Sequence, residues 1–130
     1  MNQKFPSSEK LKSKIVIDKL FTEGNSIKQY PLKLIYLPLL DPLSESCKTG
    51  VSVPKRNFKK AVDRNFLKRL MREGFRKNKY LVEGNLEKKY AFMFIFTARK
   101  RYDHQEISNC IVQILNKLIE MEATHENIDI

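Results

Sequence analysis

The sequence of 130 residues has no tryptophan and contains only four glycines, two cysteines and two histidines. A chain with so few glycines and no glycine-rich run has no phosphate-binding loop of the nucleotide-binding kind. Cys47 and Cys110 are far apart and lie outside any metal-ligand spacing. We expect two free thiols in a reducing cytoplasm, with a disulfide as the alternative.

Long hydrophobic runs are also missing. The longest, residues 32–40 and 90–98, fall well short of the roughly 20 apolar residues that cross a membrane. Residues 1–14 lack the apolar segment of a secretory signal. These observations predict a cytoplasmic protein with no membrane partner.

Residues suited to catalysis are scarce. His104 and His125 have no metal-ligand partner at useful spacing, so we expect ordinary surface histidines. The C-terminal acids are expected to be solvated rather than metal-binding; they are Glu120, Glu122, Glu126 and Asp129. The sequence therefore predicts no catalytic residue and no metal site, and a protein that acts by binding.

Hydrophobic periodicity predicts a single domain over residues 1–130. Helices are predicted at 11–21, 58–79 and 103–122, and strands at 26–39, 51–54 and 89–98. The long strand is expected to bend at Pro31, and Asp103 is expected to cap the last helix. Residues 1–10 are predicted to be a flexible arm, residues 84–85 a turn, and residues 123–130 a frayed tail. This order favours an α+β sandwich with helices on one face of a small sheet.

Positive charge is concentrated in one segment. The chain carries a net charge of +10, and residues 55–79 supply +9 of it, with eleven cations against two acids, Asp63 and Glu73. A helical projection places Arg64, Asn65, Lys68, Arg69, Arg72 and Arg76 within one arc of about 140°. Apolar residues flank this arc on both sides and are expected to face the core; they are Val62, Phe66, Leu67, Leu70, Met71 and Phe75.

The basic arc predicts a polyanionic partner. Cations four residues apart repel each other by a few tenths of a kcal/mol per pair, and a surface built only for solubility mixes charges of both signs. Arginine grips phosphate oxygens in a bidentate way. A rigid helix that carries arginine, lysine and asparagine suits a folded RNA. The alternative is an ordinary solvated face.

The segment 55–76 resembles the signature of one family, the protein subunit of bacterial ribonuclease P. The matching residues are Lys55 and Arg56, Ala61 and Val62, Arg64 and Asn65, Lys68 and Arg69, and Arg72 and Glu73. Phe66 stands where the signature has the second arginine of an Arg-Asn-Arg triplet. Because position 66 points towards the core side in the projection, we expect the loss of that charge to be tolerated. Weaker similarity extends the match to about residues 9–120.

The resemblance implies a two-layer sandwich of the ferredoxin-like type, also seen in domain 2 of ribosomal protein S5, with a left-handed βαβ crossover. It implies a protein component of ribonuclease P that binds the catalytic RNA and the 5′ leader of precursor tRNA, and thereby assists endonucleolytic removal of the leader. The RNA subunit carries the hydrolysis with Mg²⁺, which the RNA mainly binds. The protein alone is expected to be inactive.

The resemblance also assigns residues to two RNA-contacting surfaces. The signature helix and the residues before it would dock on the catalytic RNA; they are Lys55, Arg56, Lys59, Lys60, Arg64, Asn65, Lys68, Arg69, Arg72 and Arg76. A cleft between the first helix and the sheet would hold the leader. Its candidates are Ile17, Phe21 and either Ile35 or Tyr36. Phe21 could stack on a base or pack in the core.

Two other functions remain as alternatives from the residues alone. A ribosomal or RNA-chaperone-like protein shares the basic helix and the lack of catalytic residues. A DNA-binding helix module is disfavoured because a buried strand follows the basic helix, and no short helix and tight turn precede it. We therefore expect no DNA partner.

Overall fold

The computed structural model describes residues 14–39, 47–85 and 89–128, so the predicted arm at 1–10 lies outside them. The helices are α1 (Lys14–Glu23), α2 (Ala61–Asn78), α3 (Tyr80–Asn85) and α4 (His104–Ile128). The strands are β1 (Asn25–Gln29), β2 (Leu32–Pro38), β3 (Lys48–Ser52) and β4 (Tyr90–Phe96). Residues 84–85 therefore end a short helix, where the sequence predicted a turn.

The four strands form one mixed sheet in the order β1-β2-β4-β3. β1 pairs antiparallel with β2, and β2 with β4, whereas β3 and β4 are parallel neighbours. A parallel pair needs a crossover connection, and α2 and α3 supply it between β3 and β4. The fold is the predicted α+β sandwich with a βαβ crossover.

Residues 25–38 form a hairpin, and the prediction of one bent strand was wrong. Gln29 lies opposite Leu32, which leaves Tyr30 and Pro31 as the turn between the strands. The Tyr30–Pro31 peptide bond is cis, a geometry that typically occurs in tight turns. Pro31 has no N–H to continue a strand ladder, so the chain reverses there instead of bending.

The main core lies between one face of the sheet and the helices α2, α3 and α4. The strand residues on this face alternate along the two central strands; they are Leu32, Leu34, Tyr36, Tyr90, Phe92, Phe94 and Phe96. The helices contribute Leu67, Leu70, Met71, Phe75, Val82, Ile107, Ile111, Ile114, Leu115 and Leu118. Each large apolar side chain buried here stabilises the fold by about 1.5–3 kcal/mol.

The close contact between α2 and α4 depends on Gly74. A Cβ atom at position 74 would come within 2.8 Å of Cδ1 of Ile111. Asn78 also joins the two helices, since its side-chain nitrogen donates to Oγ of Ser108 at 3.3 Å. This packing fixes the rotation of α2 about its axis, and therefore fixes which side chains of α2 face outwards.

The helix α1 lies on the opposite face of the sheet, which differs from the expectation that all helices share one face. Leu20 is 1% exposed and packs in a second, smaller cluster with Ile35, Ala91 and Met93. The end of α1 approaches β2 closely at Gly24, where a Cβ atom would meet Cγ2 of Ile35 at 2.8 Å. Among the described residues, three helices thus cover one side of the sheet and α1 covers the other.

The helix α4 begins with the predicted cap and ends later than predicted. Oδ1 of Asp103 accepts a hydrogen bond from the backbone N–H of Glu106 at 2.8 Å, and Oε1 of Glu106 accepts one from the N–H of Asp103 at 3.3 Å. This reciprocal pair is a capping box. The helix continues to Ile128, six residues beyond the expected end at Glu122. Near the end of the predicted range, Met121 is 40% exposed although it is a large apolar side chain.

Candidate nucleic-acid interface

The helix α2 has one buried side and one exposed side. Leu67, Met71 and Phe75 are each at most 4% exposed and point into the main core. Gly74 and Leu70 complete the buried side. The projection had assigned Val62 to the core side as well, but Val62 is 78% exposed. A helical projection gives angles between residues and not the direction of the core, and here the core lies opposite Val62.

The predicted RNA-contacting residues lie together on and around α2, and we call these ten residues the basic surface. Seven are exposed: Lys55, Arg56, Lys59, Lys60, Asn65, Arg69 and Arg72. Three are half-buried: Arg64, Lys68 and Arg76. The structure therefore brings all ten together, with the four N-terminal cations in the loop that leads into α2.

The loop before α2 is held by two contacts. Phe58 is buried against Phe96, with ring centroids 5.6 Å apart. Nη1 of Arg64 donates hydrogen bonds to the carbonyl oxygens of Phe58 and Lys59, both at 2.8 Å. Arg64 thus has a structural contact in addition to its predicted role, because it fixes the loop that carries Lys59 and Lys60.

The electrostatics at the start of α2 favour an anion. Lys60 occupies the N-cap position and makes no side-chain capping hydrogen bond. The first N–H groups of a helix and its macrodipole present positive partial charge, which adds to the cations of the preceding loop. Phosphate groups bind at such helix ends.

The two acids of the segment lie at the margins of the basic surface. Glu73 contacts Arg69 at 4.0 Å and Nε2 of His104 at 3.9 Å. Asp63 contacts Arg101 at 3.8 Å. The Glu73 side chain is 23% exposed and the Asp63 side chain is 31% exposed, so neither acid is fully exposed among the cations of the surface.

Phe66, the departure from the signature, packs against the main core as a half-buried side chain. The guanidinium of Arg101 lies over its ring, 4.2 Å from the centroid. Sequence reasoning missed Arg101, because Arg101 follows β4 and is distant from α2 along the chain. The run of basic residues at 99–101 was the feature of the sequence that could have indicated Arg101.

The residues predicted for the leader cleft lie on α1 and on the face of the sheet that α1 covers. Ile17 is half-buried, Phe21 is 55% exposed, and Ile35 is 7% exposed beneath α1. Val16, Leu37, Leu39 and Ile95 pack at the edge of the same small cluster. Because Phe21 does not pack in the core, its ring is accessible for stacking.

Tyr36 does not belong to this cleft. Neighbouring residues of a strand face opposite sides of the sheet, and Tyr36 is 2% exposed in the main core, with its ring 6.0 Å from that of Tyr90. Burial raises the pKa of Tyr36, and the nearby Glu122 raises it further. Of the alternatives Ile35 and Tyr36, only Ile35 faces α1.

No metal-binding cluster occurs in the described part of the chain. Within residues 14–39, 47–85 and 89–128, no group of three or more histidine, cysteine, aspartate or glutamate side chains could hold a metal ion. His104 contacts Glu73 and Lys77, whereas the His125 side chain lies outside what is described. Cys47 and Cys110 are free thiols, as expected.

Comparison with known proteins identifies the family. Residues 5–120 match the Ribonuclease P family. The chain belongs to the ribonuclease P protein family. The ribonuclease P protein component of Porphyromonas gingivalis strain ATCC 33277 is 35% identical over 88 residues, which cover 68% of this chain and 64% of that protein. The chain thus spans less than two thirds of the length of this relative.

Solved ribonuclease P proteins have the same fold. The structure of the Staphylococcus aureus RNase P protein superposes with a TM-score of 0.70 at 20% identity, covering 85% of this chain and 94% of that chain. The RNase P protein from Thermotoga maritima gives a TM-score of 0.67 at 24% identity, covering 84% and 96%. Among the helices described for this ribonuclease P family member, none has the length and apolar character needed to cross a membrane.

Proposed function

We propose that this chain is the protein component of a ribonuclease P that processes precursor tRNA in the cytoplasm. In this proposal the basic surface binds the catalytic RNA, and the cleft beside α1 holds the 5′ leader. The protein assists the endonucleolytic removal of the leader and does not carry out the hydrolysis itself.

The observation that carries the proposal is the basic surface. Nearly the whole net charge of the chain falls in residues 55–79, where α2 and the loop before it carry these cations at exposed or half-buried positions. Because α2 is fixed by its buried side, the cations have defined positions. Fixed cations complement a folded RNA, whose phosphates are also fixed in three dimensions.

The leader contact is supported by the exposure and chemistry of the residues on α1 and on the sheet face beneath it. The leader is a single strand, and single strands bind to exposed aromatic rings and apolar floors with cations nearby. Phe21 offers an accessible ring, and Ile17 and Ile35 lie on the same side of the sheet. We therefore assign these three residues to the leader.

In this proposal, Mg²⁺ is bound by the RNA subunit. When bound there, it activates the attacking water and stabilises the leaving oxygen. The residues of the protein position the RNA and the leader, and none is assigned to the metal. Removal of Mg²⁺ should abolish cleavage while leaving the fold of the protein alone unchanged.

The test is reconstitution with a bacterial ribonuclease P RNA and a precursor tRNA at low Mg²⁺. We expect the protein to raise the rate of leader release well above that of the RNA alone, and the protein by itself to cleave nothing. Matched binding assays use precursor tRNA with its leader, mature tRNA and duplex DNA. The reconstituted complex should prefer the precursor that retains its leader.

Different results would point to other functions. Tight binding to the cognate RNA with no change in cleavage would replace the proposal with a plain RNA-binding role. Equal binding to duplex DNA would contradict the assignment of RNA as the partner. Salt dependence does not separate these functions, because each of them predicts weaker binding at higher salt.

A further inference from the structure

A second cluster of cations and aromatic rings lies beside α2 and outside the signature. It consists of Tyr30 in the β1–β2 turn and of Arg99, Lys100, Arg101 and Tyr102 between β4 and α4; we call these five residues the Tyr30 patch. Tyr30 is 66% exposed, although it is a large aromatic side chain. Arg99, Lys100 and Arg101 are all exposed.

The Tyr30 patch is held in place by hydrogen bonds and ring contacts. The backbone N–H and the hydroxyl of Thr97 both donate to the carbonyl oxygen of Pro31, at 2.8 Å and 3.0 Å. Sγ of Cys110 donates to the carbonyl oxygen of Gln29 at 3.0 Å. The rings of Tyr30 and Tyr102 meet edge to face with centroids 6.2 Å apart. The turn is therefore anchored to β4 and α4, and Tyr30 is exposed on a fixed support.

The cations of the patch connect it to the basic surface. Nζ of Lys100 lies 5.2 Å from the ring centroid of Tyr102. Arg101 reaches α2 itself, over the ring of Phe66 and beside the carboxylate of Asp63. Asp63 and Phe66 lie in the first two turns of α2, as does Asn65, and Arg69 follows in the next turn. The two surfaces are thus continuous through Arg101.

We propose that the Tyr30 patch is an additional RNA-contacting surface, in which Arg99, Lys100 and Arg101 bind phosphates and Tyr30 stacks on an unpaired base. The inference rests on the proposed function and deepens it, because the occupant is the same RNA subunit that the basic surface binds. Cations beside an exposed aromatic ring form a stacking platform for a single strand, whereas a duplex offers no exposed base face. We therefore assign the patch to an unpaired segment.

The first experiment measures the affinity of the full chain for ribonuclease P RNA, without precursor tRNA, over a series of salt concentrations. The variant Arg99→Gln/Lys100→Gln removes two exposed charges of the patch. We expect its Kd to rise at least about tenfold for the two contacts together. The slope of log K against log salt should fall by about 0.7–0.9 for each lost phosphate contact. Lys14→Gln/Lys19→Gln removes the same charge from α1 and should change neither quantity appreciably.

A third variant separates failure of this inference from failure of the proposed function. Arg72→Ala alters the basic surface and leaves the patch intact. If Arg72→Ala weakens binding while both double variants bind the RNA as tightly as the wild type, the patch is not an RNA contact. If none of the three variants weakens binding, the proposed function itself is contradicted.

The second experiment tests stacking on Tyr30. The chain has no tryptophan, so Tyr30→Trp places one tryptophan at the patch, and it can be excited selectively over the remaining tyrosines. We expect its emission to be quenched when ribonuclease P RNA is added to saturation. The control is Tyr80→Trp, at a site on α3 that is 64% exposed, against 66% for Tyr30. Unchanged emission from Tyr30→Trp, or equal quenching of both variants, would reject a stack at Tyr30.

Discussion

Arg64 combines a structural contact with a proposed RNA-binding role in one side chain. Its guanidinium holds the carbonyl oxygens of Phe58 and Lys59, and part of the side chain remains open to solvent on the basic surface. Arg64→Ala should therefore lower the free energy of unfolding by about 1–3 kcal/mol and also weaken RNA binding. Urea denaturation and RNA binding of the same preparation measure both effects.

Arg64→Lys is the matched control for that substitution. It keeps the charge, but its shorter side chain does not place Nζ where Nη1 of Arg64 donates to both carbonyl oxygens, so we expect it to recover RNA affinity more fully than stability. If Arg64→Ala leaves the unfolding transition unchanged, the hydrogen bonds to the loop do not contribute to the fold.

Cys110 makes stability depend on pH at the alkaline end. Burial raises the pKa of its thiol from the ordinary 9.0 to about 11, although a backbone hydrogen bond with Leu32 and the charge of Lys117 act in the opposite direction. The thiol of the unfolded chain ionises first as the pH rises. Stability should therefore be unaffected below about pH 9 and decline between pH 9 and 11.

The urea midpoint measured at pH 8, 9 and 10 tests this dependence on Cys110. Cys110→Ala removes the thiol and should show a smaller decline over that range than the wild type, since the tyrosines and lysines of the two proteins are the same. Parallel declines in both proteins would show that the buried thiol is not responsible.

Single residues were the hardest features to predict from the sequence. Val62 fitted an apolar helix face but is exposed, because the direction of the core is set by packing against the sheet and α4 rather than by the spacing of residues in α2. Tyr36 fitted an exposed cleft but is buried, because a strand alternates between two faces without marking which face the helices cover. Arg101 was missed because it meets Phe66 only in the folded chain.

The helix α2 has two faces that should respond separately to mutation. Leu70 is 6% exposed in the main core, so Leu70→Ala should lower the free energy of unfolding by about 2–5 kcal/mol. Arg72 is exposed, so Arg72→Ala should leave the unfolding transition unchanged and cost about 1–3 kcal/mol of RNA-binding free energy. Thermal denaturation and RNA titration of both variants would show the separation. Loss of stability in Arg72→Ala with unchanged RNA affinity would reverse the assignment of the faces.

The capping box at the start of α4 should stabilise this helix, which borders the Tyr30 patch. Asp103→Ala removes the acceptor of the Glu106 N–H and should destabilise the protein by about 1 kcal/mol. Asp103→Asn keeps an acceptor oxygen and should cost less. Equal melting temperatures for wild type and Asp103→Ala would show that the cap contributes nothing.

The elements themselves were largely predictable. The strand β4 and the helices α1, α2 and α4 lie close to where hydrophobic periodicity placed them, because a strongly periodic segment indicates its own type of element. The strand β3 begins at Lys48, three residues before the predicted start at residue 51. The hairpin was missed because Leu32, Leu34 and Tyr36 continue an apolar pattern across Pro31, and only pairing shows the reversal. The position of α1 depends on contacts between Leu20 and distant strands, which periodicity does not contain.

At the scale of the whole molecule, the sheet separates two proposed RNA contacts. One face builds the core that orients α2 and its cations, and the other face and α1 form the cleft assigned to the leader. The charge of the chain lies with the first contact and the accessible Phe21 with the second. This arrangement is consistent with the proposed role of a ribonuclease P family member that positions RNA.

The central claim is that α2 and its preceding loop form the surface that docks on the RNA subunit. Limited acetylation of lysines, with and without ribonuclease P RNA and read by mass spectrometry, locates that surface directly. We predict that RNA protects Lys55, Lys59, Lys60 and Lys68 and leaves Lys14 and Lys19 as reactive as in the free protein. Protection of the α1 lysines with continued reactivity along residues 55–68 would contradict the claim.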